Sequence, residues 1–228
     1  MMFRLLLVAL TLALAPLALA QDRITQRPPE FVDAATLVPN LIVEMRYAGS
    51  HNFVGVPVDG YEKPVCLLTH KAATALAAVA RDLEPKGFAI KVFDCYRPVR
   101  AVQHFMRWAS NPKDVLRKKE FYPDLDKRNL FALGYISSQS GHSRGSTSDL
   151  TLAQLADKSE LDMGTPFDFF SPRAAATDRS VSALAQANRA LLGNAMRRRG
   201  FVRYVKEWWH FTLGDEPFPS SYVDFPVR

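Results

Sequence analysis

From Thr69 onward the apolar positions fall into clear periodic runs. Ala72, Leu76, Val79 and Leu83 recur at helical spacing, with Thr69 as a candidate N-cap and Pro85 and Gly87 as stops. FAIKVFDCY, residues 88–96, is a β-rich run that predicts a strand. Arg97-Pro98 then turns the chain into a second helix whose inward face would be Val102, Phe105 and Ala109. STSDLTL, with its alternating β-branched residues, predicts another strand. A last helix is expected over about 178–199, capped by Asp178 or Ser180, with Val181, Leu184, Ala187, Leu191 and Ala195 as its stripe and Gly200 just past its end. FVRYV and WWHFTL read as two closing strands. Before Thr69 the pattern is less regular: residues 21–40 read as an extended lead-in, and 41–68 mix short β-like runs with turn residues such as Asp59-Gly60. Segment 111–128 carries six Lys/Arg and four Asp/Glu around two prolines, and reads as solvated loop and short helix that could form a flap over a site. This order of elements predicts an α+β fold: a single domain with a central antiparallel sheet flanked by helices.

The first twenty residues, MMFRLLLVALTLALAPLALA, follow different rules. A positive start at Arg4, an apolar run and the small-x-small Ala18-Leu19-Ala20 have the form of a secretory signal peptide, and Pro16 interrupts a run already short for a membrane span. Cleavage there leaves residues 21–228 as the folded domain, in the periplasm or outside the cell, with no stable membrane span. The formal charge of +6, one less without Arg4, is modest, so nucleic acid is not an expected partner. The two cysteines, Cys66 and Cys95, could pair in an oxidising compartment or remain as buried thiols. Two cysteines cannot build a thiolate cage, so any metal would need nitrogen and oxygen ligands.

Candidate chemistry centres on SGHSRGSTSDLTL, where His142 and Asp149 stand seven residues apart across Gly145. Of the five histidines, His70 and His104 sit on expected helices and His51 lies in a loop without a neighbouring carboxylate in sequence. His210 is crowded by Glu207, Trp208 and Trp209 in KEWWHF. A catalytic zinc takes three protein ligands and keeps one position open, and a carboxylate nearby can act as general base. His142, Asp149 and His210 with Glu207 satisfy those demands. The competing reading is a buried histidine pair hydrogen-bonded to Asp149. In a regular strand, positions three apart face opposite sides, so Glu207 and His210 can share a site only if Glu207 lies in a loop or bulge.

SGHSRGSTSDLTL and EWWHF resemble the two metal signatures of the zinc D-alanyl-D-alanine dipeptidases of the vancomycin-resistance type. The similarity continues through MRYAGSHNFVG, DGYEKPVCLLT, FDCYRP and DMGTPFDFF, in order over most of the chain. The resemblance implies one Zn²⁺ per chain held by His142, Asp149 and His210, with Glu207 as the catalytic base. It implies that Arg97 stabilises the oxyanion and that Asp168 receives the ammonium group of a dipeptide such as D-Ala-D-Ala. Ser140 and Tyr47 are implied at the same end of the substrate. Two stretches depart from the family's usual pattern. Thr147-Ser148 replaces Ala and an apolar residue, and Cys95 replaces a small residue such as Ala. Within the wider group, a D,D-carboxypeptidase or peptidoglycan endopeptidase would need an open cleft. A non-catalytic cell-wall binding protein would have no need of Glu207 and Arg97 together.

Overall fold

The computed structural model describes residues 25–228, so the leader expected at 1–20 lies outside the described residues. In chain order the elements are β1 (Phe31–Asp33), β2 (Ile42–Val43), β3 (Leu67–Thr69), α1 (His70–Leu83), β4 (Phe88–Asp94), α2 (Val99–Ser110), a single-turn α3 (Lys118–Phe121), β5 (Thr147–Gln154), α4 (Ala183–Arg198), β6 (Phe201–Arg203) and β7 (His210–Leu213). Five strands form one sheet in the order β2-β4-β5-β7-β6, and β1 pairs with β3 in a small second sheet. The large sheet is antiparallel, as expected, except for the parallel edge pair β2–β4. The fold is α+β.

Central position explains the composition of β5. Thr147 through Ala153 are all buried, so the strand is covered on both faces, and its hydroxyl and carboxylate side chains lie inside the protein. Helix α1 begins where its pattern predicts: the Thr69 hydroxyl accepts from the Ala72 amide at 3.3 Å, and Ala72, Leu76, Val79 and Leu83 are buried. On α2, Val102, Phe105 and Ala109 are buried as expected.

Helix α4 departs from expectation. It starts at Ala183 behind a Ser182 cap, not behind Asp178 or Ser180, and its buried residues are Ala185, Arg189, Leu192, Ala195 and Met196. Leu184, read as part of the stripe, is 63% exposed. The register was obscured by Arg189, a charged residue that belongs to the buried face. Its guanidinium donates to the carbonyls of Met163, Ala175 and Arg173 at 2.7–3.0 Å, satisfying loop groups that would otherwise be orphaned.

The charged segment 111–128 forms loop and short helix, as expected, but no flap. It is pinned down by Lys127, whose ammonium donates to the carbonyls of Asn111 and Asp114 and lies 3.8 Å from the Trp108 ring centre. Cys66 and Cys95 do pair, joining the approach to β3 to the end of β4. Closing a loop of that length stabilises the fold by about 3–4 kcal/mol in the chain-entropy model.

Candidate active site

Three neighbouring strands bring three side chains abreast. Asp149 on β5 sits opposite Asp94 of β4 on one side and opposite His210 of β7 on the other. Cross-strand partners lie close enough to interact directly. His142 arrives from a single 3-10 turn, Gly141–Arg144, just ahead of β5. The Ser140 hydroxyl caps that turn by accepting from the His142 amide at 3.3 Å. Gly145 ends it at φ +77, where a Cβ would stand 2.1 Å from the Phe31 ring, so only glycine lets the chain turn from His142 into β5.

His142 Nε2 is 3.2 Å from Asp149 Oδ2 and 3.3 Å from His210 Nδ1, and His210 Nδ1 is 3.0 Å from Asp149 Oδ1. The potential ligand atoms of the three residues all fall within 4.8 Å of one another. On its other side, His142 Nδ1 lies 2.6 Å from the Cys95 carbonyl. A carbonyl only accepts, so Nδ1 carries the proton and Nε2 turns a lone pair toward Asp149 and His210. Asp149 Oδ1, although close to His210, is buried and accepts no hydrogen bond of acceptable geometry. Two imidazole nitrogens and an unsatisfied carboxylate oxygen facing one point are what a metal ion of zinc type requires.

Glu207 does not lie in a strand. It sits in the connection between β6 and β7, which explains how it and His210, three residues apart, face the same site. Its Oε2 is 3.6 Å from His210 Nδ1, and burial lifts its carboxyl to about 7 against the pull of the neighbouring His210. Burial likewise works against the charged form of His210, but contact with Asp149 holds that imidazole above its ordinary value. Arg97 follows β4 directly. Its guanidinium lies 5.1 Å from both the Tyr47 and Phe105 rings and reaches Asp149 at 3.5 Å.

Asp168 lines the same cavity. It adopts the left-handed region at φ 59, which Asp tolerates better than most residues, and its carboxylate accepts from the Tyr47 hydroxyl at 2.8 Å. Burial pushes its carboxyl well above the usual range, and the charge of Asp149 adds to the lift. A buried carboxylate with one neutral donor is costly unless a cation joins it.

Tyr47, Arg97, Ser140, Asp149, Asp168, Glu207 and His210 line one cavity of about 260 Å³, with His142 fully buried behind them. All eight residues singled out in the sequence therefore meet in one place. The outer wall comes from residues 134–141, with Tyr135 stacked on Phe170 at 5.1 Å, and not from 111–128. His51 has a carboxylate partner after all, Glu120 at 2.7 Å, away from the cavity. The sequence reading missed Asp94, which lies within 3.5 Å of both Arg97 and His142. A lone carboxylate inside the apolar run FAIKVFDCY was the available signal.

These shifts give a pH dependence of stability. Without metal, the native state holds a proton on Glu207 between 4.5 and about 7 that the unfolded chain has released, and the raised His210 extends the effect in the same direction above 6.5. The metal-free protein should therefore lose stability as pH rises through that window, with a slope of up to ~1.4 kcal/mol per pH unit from each such group. Carboxyls held low, such as Asp126 at about 2, are already ionised there and add no slope. Thermal melts at pH 5.5 and 8 with chelator should show the higher Tm at pH 5.5, and added zinc should remove the difference.

The family model for D-ala-D-ala dipeptidases, Peptidase_M15, matches residues 27–228. The D-alanyl-D-alanine dipeptidase of Enterococcus faecium is 40% identical over 185 residues, covering 81% of this chain and 92% of the relative. That of Streptomyces coelicolor is 40% identical over 197 residues, covering 86% and 96%. A solved D,D-pentapeptidase from a vancomycin-resistance cassette, in complex with Zn(II), aligns with 77% of this chain and 87% of its own at 13% identity and a TM-score of 0.41. With the family model spanning nearly every described residue, the chain belongs to the D-ala-D-ala dipeptidase family of peptidases.

Proposed function

We propose that this protein is a zinc-dependent dipeptidase that hydrolyses D-alanyl-D-alanine or a closely similar dipeptide after export to the periplasm or beyond the cell. One observation carries the reading. One small cavity is lined by Asp149, His210, Glu207 and the buried carboxylate of Asp168, with His142 completing the ligand cluster behind it. Ligand pockets commonly run to about 300–1,000 Å³, so this one suits a dipeptide better than a long peptide stem.

His142 Nε2, Asp149 and His210 Nδ1 would hold the ion in this reading, one per chain. When bound, zinc supplies Lewis-acid chemistry: it polarises a carbonyl and lowers the pKa of water toward neutrality. The protein's own groups do the rest. Asp168, backed by the Tyr47 hydroxyl, takes the substrate's free ammonium group, with Ser140 on the same wall. This fixes the scissile carbonyl near Arg97, whose guanidinium donates to the developing oxyanion; removing one such donor typically costs about 10²–10³ in rate. Glu207 accepts the proton of the attacking water and delivers it to the leaving amine. Its carboxyl, lifted toward neutrality by burial, is poised for transfer in both directions.

The leader-like residues 1–20 and the Cys66–Cys95 disulfide support export, because such bonds persist in oxidising compartments. Among the described residues no helix is long and apolar enough to cross a membrane.

The test offers purified protein D-Ala-D-Ala, L-Ala-L-Ala and N-acetyl-D-Ala-D-Ala, each with and without chelator. Release of alanine from D-Ala-D-Ala alone, abolished by chelator and restored by zinc, is the expected result. Cleavage of the acetylated compound would move the assignment to a D,D-carboxypeptidase. No release from any substrate, with zinc still bound, would favour a binding protein.

A further inference from the structure

Asp94 has no role in the reading above, yet it is fully buried and makes three charged or polar contacts. Its Oδ2 lies 2.8 Å from both Nε and a terminal nitrogen of Arg97, and its Oδ1 accepts from the Tyr61 hydroxyl at 2.6 Å. His142 Nδ1 is 3.5 Å away, committed to the Cys95 carbonyl. The pairing register shifts between Val92 and Asp94, and beyond that shift Asp94 stands opposite Asp149. Arg97 thus has two carboxylates within reach: Asp94 at salt-bridge distance and Asp149 at 3.5 Å. Guanidinium and carboxylate groups favour close, two-pronged pairing. If Asp94 did not occupy one edge of the Arg97 fork, the nearest anion for it would be Asp149, the same oxygens offered to the metal.

We infer that Asp94, anchored by Tyr61, is a positioning residue that keeps the Arg97 guanidinium aimed into the cavity and limits its hold on the metal-ligand carboxylate of Asp149 to the one 3.5 Å contact. The inference rests on the proposed metal site and on the proposed role of Arg97. Asp94 is neither in the cavity lining nor in the ligand cluster. It acts through Arg97, so its loss should matter only while Arg97 is present.

A double-mutant cycle tests this on the full protein, reading zinc affinity by chelator competition alongside turnover. Asp94→Asn should weaken zinc binding about 10–100-fold, the range found for outer partners of metal sites, and lower kcat about tenfold or more with a smaller change in KM. In an Arg97→Met background the same change should alter zinc affinity and kcat by less than about threefold, because the competing cation is gone. Tyr61→Phe, a milder variant that keeps the carboxylate, should show the same dependence on Arg97 at smaller amplitude and serves if Asp94→Asn does not fold. Equal losses of zinc in both backgrounds would overturn the inference, since Asp94 would then act through His142 or on folding alone. If Arg97→Met by itself keeps near-normal kcat, the oxyanion reading fails, while the zinc arm still decides the competition between Arg97 and the metal.

Discussion

Alanine at Glu207 is expected to leave one zinc per chain bound while lowering turnover of D-Ala-D-Ala by about 10²–10⁴-fold, the usual contribution of a positioned general base. The separation follows from geometry. Glu207 stands beside the cluster, 3.6 Å from His210 Nδ1, but the three converging ligand atoms come from other residues. Truncating it takes away no atom of the His142, Asp149 and His210 cluster, so the proposed metal site keeps its three ligands. Zinc content by elemental analysis and steady-state kinetics on the same preparation check both halves. Full activity in Glu207→Ala would end the proposed role of this residue; loss of zinc together with activity would make Glu207 a ligand.

Alanine at His210 should do something different and larger: lose the metal and reduce activity to the level of the chelated enzyme. With Nδ1 gone, only His142 and Asp149 remain, and three protein ligands are the norm for catalytic zinc. His210 lies at the start of β7, paired with β5, so the backbone ladder that positions Asp149 survives the truncation and the effect should be local. A circular dichroism spectrum like that of the unmodified protein, with no bound zinc and no turnover even in excess metal, is the expected outcome. Retention of stoichiometric zinc at ordinary affinity would mean that the ligand set is wrong.

The legible part of this protein was what short-range physics dictates. Helix α1 and the inner face of α2 follow from apolar spacing and a threonine cap, and β4 and β5 from β-branched runs. The site residues carried chemical signals: histidines beside carboxylates, and an aspartate among phenylalanines that no core would hold unpaired. What could not be read depended on partners distant in sequence. The α4 stripe was misplaced because Arg189 is buried only by virtue of three loop carbonyls. The parallel placement of β2 against β4 depends on two residue pairs at a sheet edge, too few to leave a pattern. The flap expectation for 111–128 failed because Lys127 ties that segment to the Trp108 side of α2. Asp94 was overlooked because its meaning appears only when Tyr61, Arg97 and Asp149 are seen around it.

The connection between β6 and β7 deserves a different kind of expectation from other surface loops. Such connections usually accumulate insertions and deletions over evolutionary time because nothing depends on their length. Here the span from Glu207 to His210 is the ruler that sets the proposed base against the proposed ligand, with one end in the turn and the other locked in the β7 ladder. One added or lost residue would carry the carboxylate around the turn and away from the metal cluster, whatever amino acids were kept. Length at this point should therefore be inherited as strictly as residue identity.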